Sequence, residues 1–311
     1  MPFVAATGDI VLQSVLIATD FSAASDKPLR HALAIARHYG AKFYMAHVVS
    51  SLGFALAGPD AVAAATQAVW RDAQRLESDL VHRGALAGLR HEVIIRQGSS
   101  VWEELEKTIQ RERVELVVLG THARRGFGKL LLGSVAEQIF RQASCLVLTV
   151  GPGSLQDSPV GSARAIRPFL FATDFSASSL RALPYAISAA NHFGTRLVLL
   201  HVVPDATMPG GSVLPTPRDA AEAQEKSVRA SLRRLKELVS TGPKLVVEPE
   251  YVVELGPVSE KILQTASALK ADTIILGLHH KRHIGADSHL PWATAYEVVC
   301  DAGCSVLTVR S

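Results

Sequence analysis

The stretch LIATDFS at 16–22 returns as LFATDFS at 170–176, placing Asp174 at 154 positions beyond Asp20. Other landmarks keep that spacing outward from it. His38 and Gly40 correspond to His192 and Gly194, and AHVV at 46–49 corresponds to LHVV at 200–203. Near the ends, CLVLTV at 145–150 corresponds to CSVLTV at 304–309, now 159 positions apart, so the second copy carries a few inserted residues. Self-similarity on this scale is the mark of tandem domains, and 311 residues are enough for two cores of ordinary size. Between the copies, GPGSLQDSPVGSARA at 151–165 has the Gly, Ser and Pro content of a solvated linker. The expected organisation is a first domain over 1–150, a linker over 151–165 and a second domain over 166–311.

Within each copy, strand and helix patterns alternate. In the first, Ser14–Ala18 reads as a strand and Ala24–Tyr39 as a helix stopped by Gly40. Lys42–Val49 is a second strand, Asp60–Arg83 a long helix, His91–Arg96 a third strand and Val101–Arg111 a helix. Val114–Leu119 is a buried strand, Ser134–Gln142 a helix and Cys145–Val150 a last strand, an order that the second copy repeats through Val306–Val309. Nearly continuous apolar strands separated by helices predict an α/β fold with a parallel sheet covered on both faces. Right-handed crossovers then leave a five-stranded Rossmann-like domain, twice. Ligands of such sheets bind beyond the carboxyl ends of the strands, where strand order reverses.

Composition narrows the partners. A net charge of +3 from 32 basic and 29 acidic residues gives no polyanion-binding surface, so nucleic acid is not expected. Cys145, Cys300 and Cys304 have no CxxC spacing and are odd in number, which suits small buried hydrophobes in a reducing compartment. No apolar run is long enough to span a bilayer, and the first residues lack the pattern of a secretory signal. A cytoplasmic protein with no membrane partner is expected.

After the fourth strand of the first copy comes GTHARRGFGKLLLGSV at 120–135. Gly120 permits close backbone approach, and Gly133-Ser134 opens a helix whose unpaired N–H groups and positive dipole end suit an anion. Ser134 could cap that helix or donate its hydroxyl to a phosphate, with Arg124, Arg125 and Lys129 adding charge. Glycines in turns have purely structural uses too. However, ATDFS after strand one, HVV in strand two and the Gly-rich spacing ending in Gly-Ser after strand four together resemble the universal stress protein family in its tandem-domain form. The resemblance covers nearly the whole chain, twice.

That resemblance implies an adenine nucleotide alpha hydrolase-like fold and an ATP site in the first copy, possible with Mg. Carried over by motif position, its residues are Thr19, Asp20, Val48, Leu119, Gly120, His122, Ala123, Arg124, Gly133, Ser134 and Val135. Ala123 stands where the motif has its second glycine, so weaker binding is expected there. Asp20 also has a structural reading as the cap of a turn. The family pairs its domains through their last strands, which implies an intramolecular pseudo-dimer, with a further homodimer and an unidentified protein partner left open.

The second copy keeps Thr173, Asp174, His201, Val202 and Gly277 but then reads LHHKRHIGADSHLPWATAYEVV. Trp292-Ala293 takes the place of Gly133-Ser134 in a lengthened loop, so no ordinary ATP site is expected. Its His279, His280, His283, His289 and Asp287 match no metal-ligand spacing and are read as solvent-facing. His47 and His201, kept in both copies, are read as packed residues. No P-loop, Ser-His-Asp order or acidic pair beside the phosphate loop supplies a catalytic engine. The expected function is a stress-response module regulated by bound ATP, with at most weak ATPase activity. The rivals are a slow ATPase or phosphoryl or nucleotidyl transferase, and a nucleotide-free scaffold.

Overall fold

The apolar runs singled out above form the strands, and the copies fold as separate units, Met1–Pro152 and Gly153–Ser311. The structure, a computed structural model, describes residues 3–4, 10–54, 58–120, 132–152, 167–204, 217–240, 244–278 and 292–310. In the first unit, β1 (Phe3–Val4) pairs antiparallel with β2 (Ile10–Val11), a small ribbon that the hydrophobic pattern does not announce. Then come β3 (Ser14–Ala18), α1 (Asp26–Tyr39), β4 (Lys42–Ser50), α2 (Pro59–His82) and β5 (His91–Gly98). They are followed by α3 (Val101–Arg111), β6 (Leu116–Gly120), α4 (Ser134–Gln142) and β7 (Leu146–Val150).

The bonded order is β7-β6-β3-β4-β5, every pair parallel. Strand order therefore reverses between β3 and β6, the crevice in which open α/β sheets hold ligands. Val15, Leu16 and Ile17 of β3 are fully buried because side chains on both faces of a central strand meet helices. Leu16, Tyr44, Ala46, Val117 and Val147 join Trp102, Leu105 and Ile109 of α3 in one core.

The second unit repeats the plan: β8 (Phe169–Ala172), α5 (Ala177–Leu180), α6 (Leu183–Phe193), β9 (Leu197–Val203) and α7 (Pro217–Ser240). After these stand β10 (Glu250–Leu255), α8 (Val258–Ala268), β11 (Thr273–Leu278), α9 (Trp292–Asp301) and β12 (Ser305–Arg310). Its parallel order is β12-β11-β8-β9-β10. No helix among the described residues is long and apolar enough to cross a membrane.

Three element boundaries differ from the sequence reading, each for a local reason. The first helix does not start at Ala24: a 3-10 turn, Ala23–Ser25, precedes α1, and the Ser25 hydroxyl is held by Asp20 Oδ1 at 2.9 Å. β6 begins two residues late because the Val114 N–H still closes α3 onto Ile109 O, 2.9 Å away. In the second copy the corresponding helix is split into α5 and α6, since Pro184 has no N–H to offer the Leu180 carbonyl one turn back.

Candidate functional site

The turn after β3 is built by its own side chains. Thr19 donates its N–H to Ala46 O (3.0 Å) and accepts the Phe21 N–H on Oγ1 (2.9 Å). Asp20 Oδ1 accepts the Ser22 N–H (3.0 Å) and the Ser25 hydroxyl (2.9 Å). Two successive side-chain caps of this kind fold the chain back sharply, and Phe21 is driven to φ 58°, a left-handed conformation costly for a bulky residue. Burial alone would raise the Asp20 carboxyl, but hydrogen bonds from Ser22 and Ser25 outweigh it and hold the group below its ordinary value. Asp20 is therefore an anion at neutral pH, exposed at the carboxyl end of β3.

His47 ties this turn to the neighbouring strand. Its Nδ1 lies 2.7 Å from Thr19 O, and because a carbonyl only accepts, Nδ1 carries the proton and Nε2 the lone pair. The ring stands 5.8 Å from that of Phe21. The second copy reproduces the device: Phe175 N–H to Thr173 Oγ1 (3.0 Å), Ser176 N–H to Asp174 Oδ1 (2.9 Å) and His201 Nδ1 to Thr173 O (2.8 Å), with Phe175 at φ 61°. Burial pushes the His201 imidazole down from its ordinary value, so it is neutral. Sequence reasoning passed over Phe21 and Phe175, although their recurrence within ATDFS and FATDFS was the available signal. It read the two histidines as packed, and they are joints between strands.

The remaining positions meet at the same end of the sheet. Val48 and Leu119 belong by their side chains to the first unit's core, and Val135 packs against it, so only their backbone is open to a ligand. A Cβ on Gly120 would stand 2.7 Å from Pro28 Cγ, which makes this glycine a packing requirement of α1 against β6. Gly277, its counterpart, is tighter: a Cβ there would lie 2.3 Å from Ser178 O and 2.5 Å from Ser179 Cα. A glycine kept where the Gly-Ser motif is lost is kept for packing.

Gly133 is different. Its φ of −59° suits any residue, and a Cβ there would meet nothing within 4 Å among the described residues. It is the N-cap of α4, with no side chain to bond the helix, so Ser134 is the first helical residue and not the cap anticipated above. The first intrahelical bond is Glu137 N–H to Gly133 O, 2.8 Å, which leaves the N–H groups of Ser134, Val135 and Ala136 without an intrahelical acceptor. Open space beside orphan donors and an exposed hydroxyl fits an anion such as a phosphate. Across the crevice, the Asp20 carboxylate fits a hydroxyl-bearing group. In the second copy α9 starts at Trp292, so the residue aligned with Gly133 is already helical. His122, Ala123 and Arg124, with Arg125 and Lys129, lie outside the described residues, as does the histidine-rich segment 279–289. Cys300 and Cys304 are buried free thiols, Cys304 with its thiol pushed up to about 12 by burial, and Cys145 is half-buried.

Parallel sheets with this strand order, with polar turns gathered where the order reverses, define a Rossmann-like α/β domain, present twice. The sequence model of the universal stress protein family matches residues 12–151 and again 165–310. The chain belongs to that family. A universal stress protein of Methanocaldococcus jannaschii is 26% identical over 144 residues, covering 46% of this chain and 84% of the relative. One of Thermus aquaticus is 28% identical over 141 residues, covering 45% of this chain and 99% of its own. The crystal structure of a universal stress protein from Archaeoglobus fulgidus is similar over 96% of this chain and 98% of its own, with a TM-score of 0.66 at 19% identity, a likeness of fold.

Proposed function

We propose that the protein binds ATP in its first copy and serves as a nucleotide-regulated module of the stress response in the cytoplasm. The observation that carries this reading is Gly133: neither its backbone conformation nor its described neighbours require a glycine, whereas a phosphate group seated against the α4 N–H groups would. In this reading Asp20 holds the ribose hydroxyls and the backbone at Thr19 and Val48 lies along the adenosine. Leu119-Gly120 flanks the crevice, and Gly133, Ser134 and Val135 donate to the phosphates, with His122, Ala123 and Arg124 completing the loop. A bound Mg²⁺ would share the phosphate charge.

Titration calorimetry with Mg·ATP on the purified chain tests it. One ATP per chain is expected, lost in Gly133→Asp, whose carboxylate would occupy the anion's place while capping α4 at least as well as glycine. ATP turnover is expected to stay far below dedicated-enzyme rates. Undetectable ATP binding, or ATP binding indifferent to Gly133→Asp, would refute the reading.

A further inference from the structure

The second unit, without a counterpart to Gly133-Ser134, has a cavity of its own. It measures about 270 Å³ and lies at the carboxyl ends of β8 and β9, between α7 and α8. Its floor is formed by Ala172, Leu200 and Ile262, which are 2%, 0% and 1% exposed. Val202, Val203 and Val258 supply apolar walls. Leu200 stands where the first copy has Ala46, so the recess is lined by more hydrocarbon than the same place there.

Its polar groups are mostly acceptors. Asp174 is a carboxylate at the rim, and His201, with Nδ1–H given to Thr173 O, has only a lone pair left on Nε2. Ser227 of α7 adds a hydroxyl that works either way. No described lining residue is a lysine or arginine. Arg234 of α7 is placed over the Phe175 ring, 4.4 Å from its centroid, and does not line the cavity. Burying a phosphate against hydrocarbon and a carboxylate, with no cation or helix N-terminus to receive it, is strongly unfavourable. A neutral ligand that brings N–H and O–H donors to those acceptors and a flat apolar body to the floor is matched on both counts.

We propose that this cavity is a second ligand site, selective for an uncharged, hydrogen-bond-donating ligand of nucleoside size and closed to phosphorylated ones. The two copies would then respond to different chemical forms, nucleotide in the first and neutral ligand in the second. The proposal is independent of the ATP reading of the first copy.

Adenosine is the probe, titrated into the full chain carrying Gly133→Asp, with AMP and ATP in parallel. Adenosine is expected to bind roughly tenfold or more tightly than AMP, and ATP not at all. In the unsubstituted chain, adenosine should slow amide hydrogen exchange at 200–204, a measurement that needs no variant to fold. Ser227→Trp, which fills the cavity from a half-buried helix position, should weaken adenosine roughly tenfold or more. The proposal is overturned by any of three results: no adenosine binding at about 1 mM, AMP binding as tightly as adenosine, or protection and affinity that ignore residues 200–204 and Ser227→Trp. Loss of ATP binding in the unsubstituted chain would count against the first-copy reading alone.

Discussion

At the scale of single residues, four helix ends share one backbone motif but not one residue type. Gly40 and Gly194 follow α1 and α6 at φ 64° and 59°, while Arg113 and Lys270 take the same left-handed conformation after α3 and α8 at φ 50° and 51°. Each closes its helix by the same pair of bonds, as with Lys270 N–H to Ser267 O (3.0 Å) and Ala271 N–H to Ala266 O (2.8 Å). The basic side chains complement the helix dipole, but their Cβ atoms carry the left-handed penalty. Lys270→Gly, at an exposed position, is expected to stabilise the second unit by about 0.5 kcal/mol, the relief being partly offset by added freedom in the unfolded chain. Gly40→Ala is expected to destabilise the first by about 1 kcal/mol. Urea midpoints at constant m-value check both. His201 adds a pH effect: its folded pKa is below the ordinary 6.5, so its contribution is complete above that pH and is lost as pH falls through the lower folded value. Asp20 acts in the same direction but lower, below its ordinary 3.8. Unfolding midpoints between pH 7 and pH 5 should therefore fall less steeply in His201→Gln than in the unsubstituted chain.

Between elements, the deciding contact is a glycine at the carboxyl end of the fourth strand. Gly120 admits the Pro28 ring of α1, and Gly277 admits the backbone of α5 itself. Alanine at Gly277 must move backbone atoms, so about 3 kcal/mol of destabilisation is expected. Alanine at Gly120 meets only the edge of a proline ring, and about 1 kcal/mol is expected. Pro28→Ala should recover much of the latter, and a double-mutant cycle on thermal unfolding measures that coupling. The motif's first glycine was legible in the sequence, and its reason was not: a strand-end glycine before a loop looks the same whether a ligand or a helix approaches it.

For the molecule as a whole, the ligands become stability terms. ATP at a hundred times its Kd should stabilise the first unit by about 2.7 kcal/mol, and Gly133→Asp should abolish that gain. A thermal scan of the full chain with and without ATP checks this, since a ligand confined to one unit shifts that unit's transition. Two shifted transitions would mean that the second copy also takes ATP, in conflict with α9 starting at Trp292.

The two copies, their strand-helix alternation and the turn after the first strand were all readable in the sequence. Repetition and hydrophobic period are properties of local order along the chain, and LIATDFS and LFATDFS carry them without any fold. What required tertiary structure was the reason for each conserved-looking letter. Thr19, Asp20 and Phe21 form a self-capped turn whose geometry depends on a histidine from the next strand, 28 positions away. Gly120 and Gly277 answer to helices that the chain brings back over the sheet, and Gly133 stands apart because no described atom approaches it. The cavity of the second copy is the extreme case: it exists only where β8, β9, α7 and α8 leave a gap, and a gap between distant segments has no local signature.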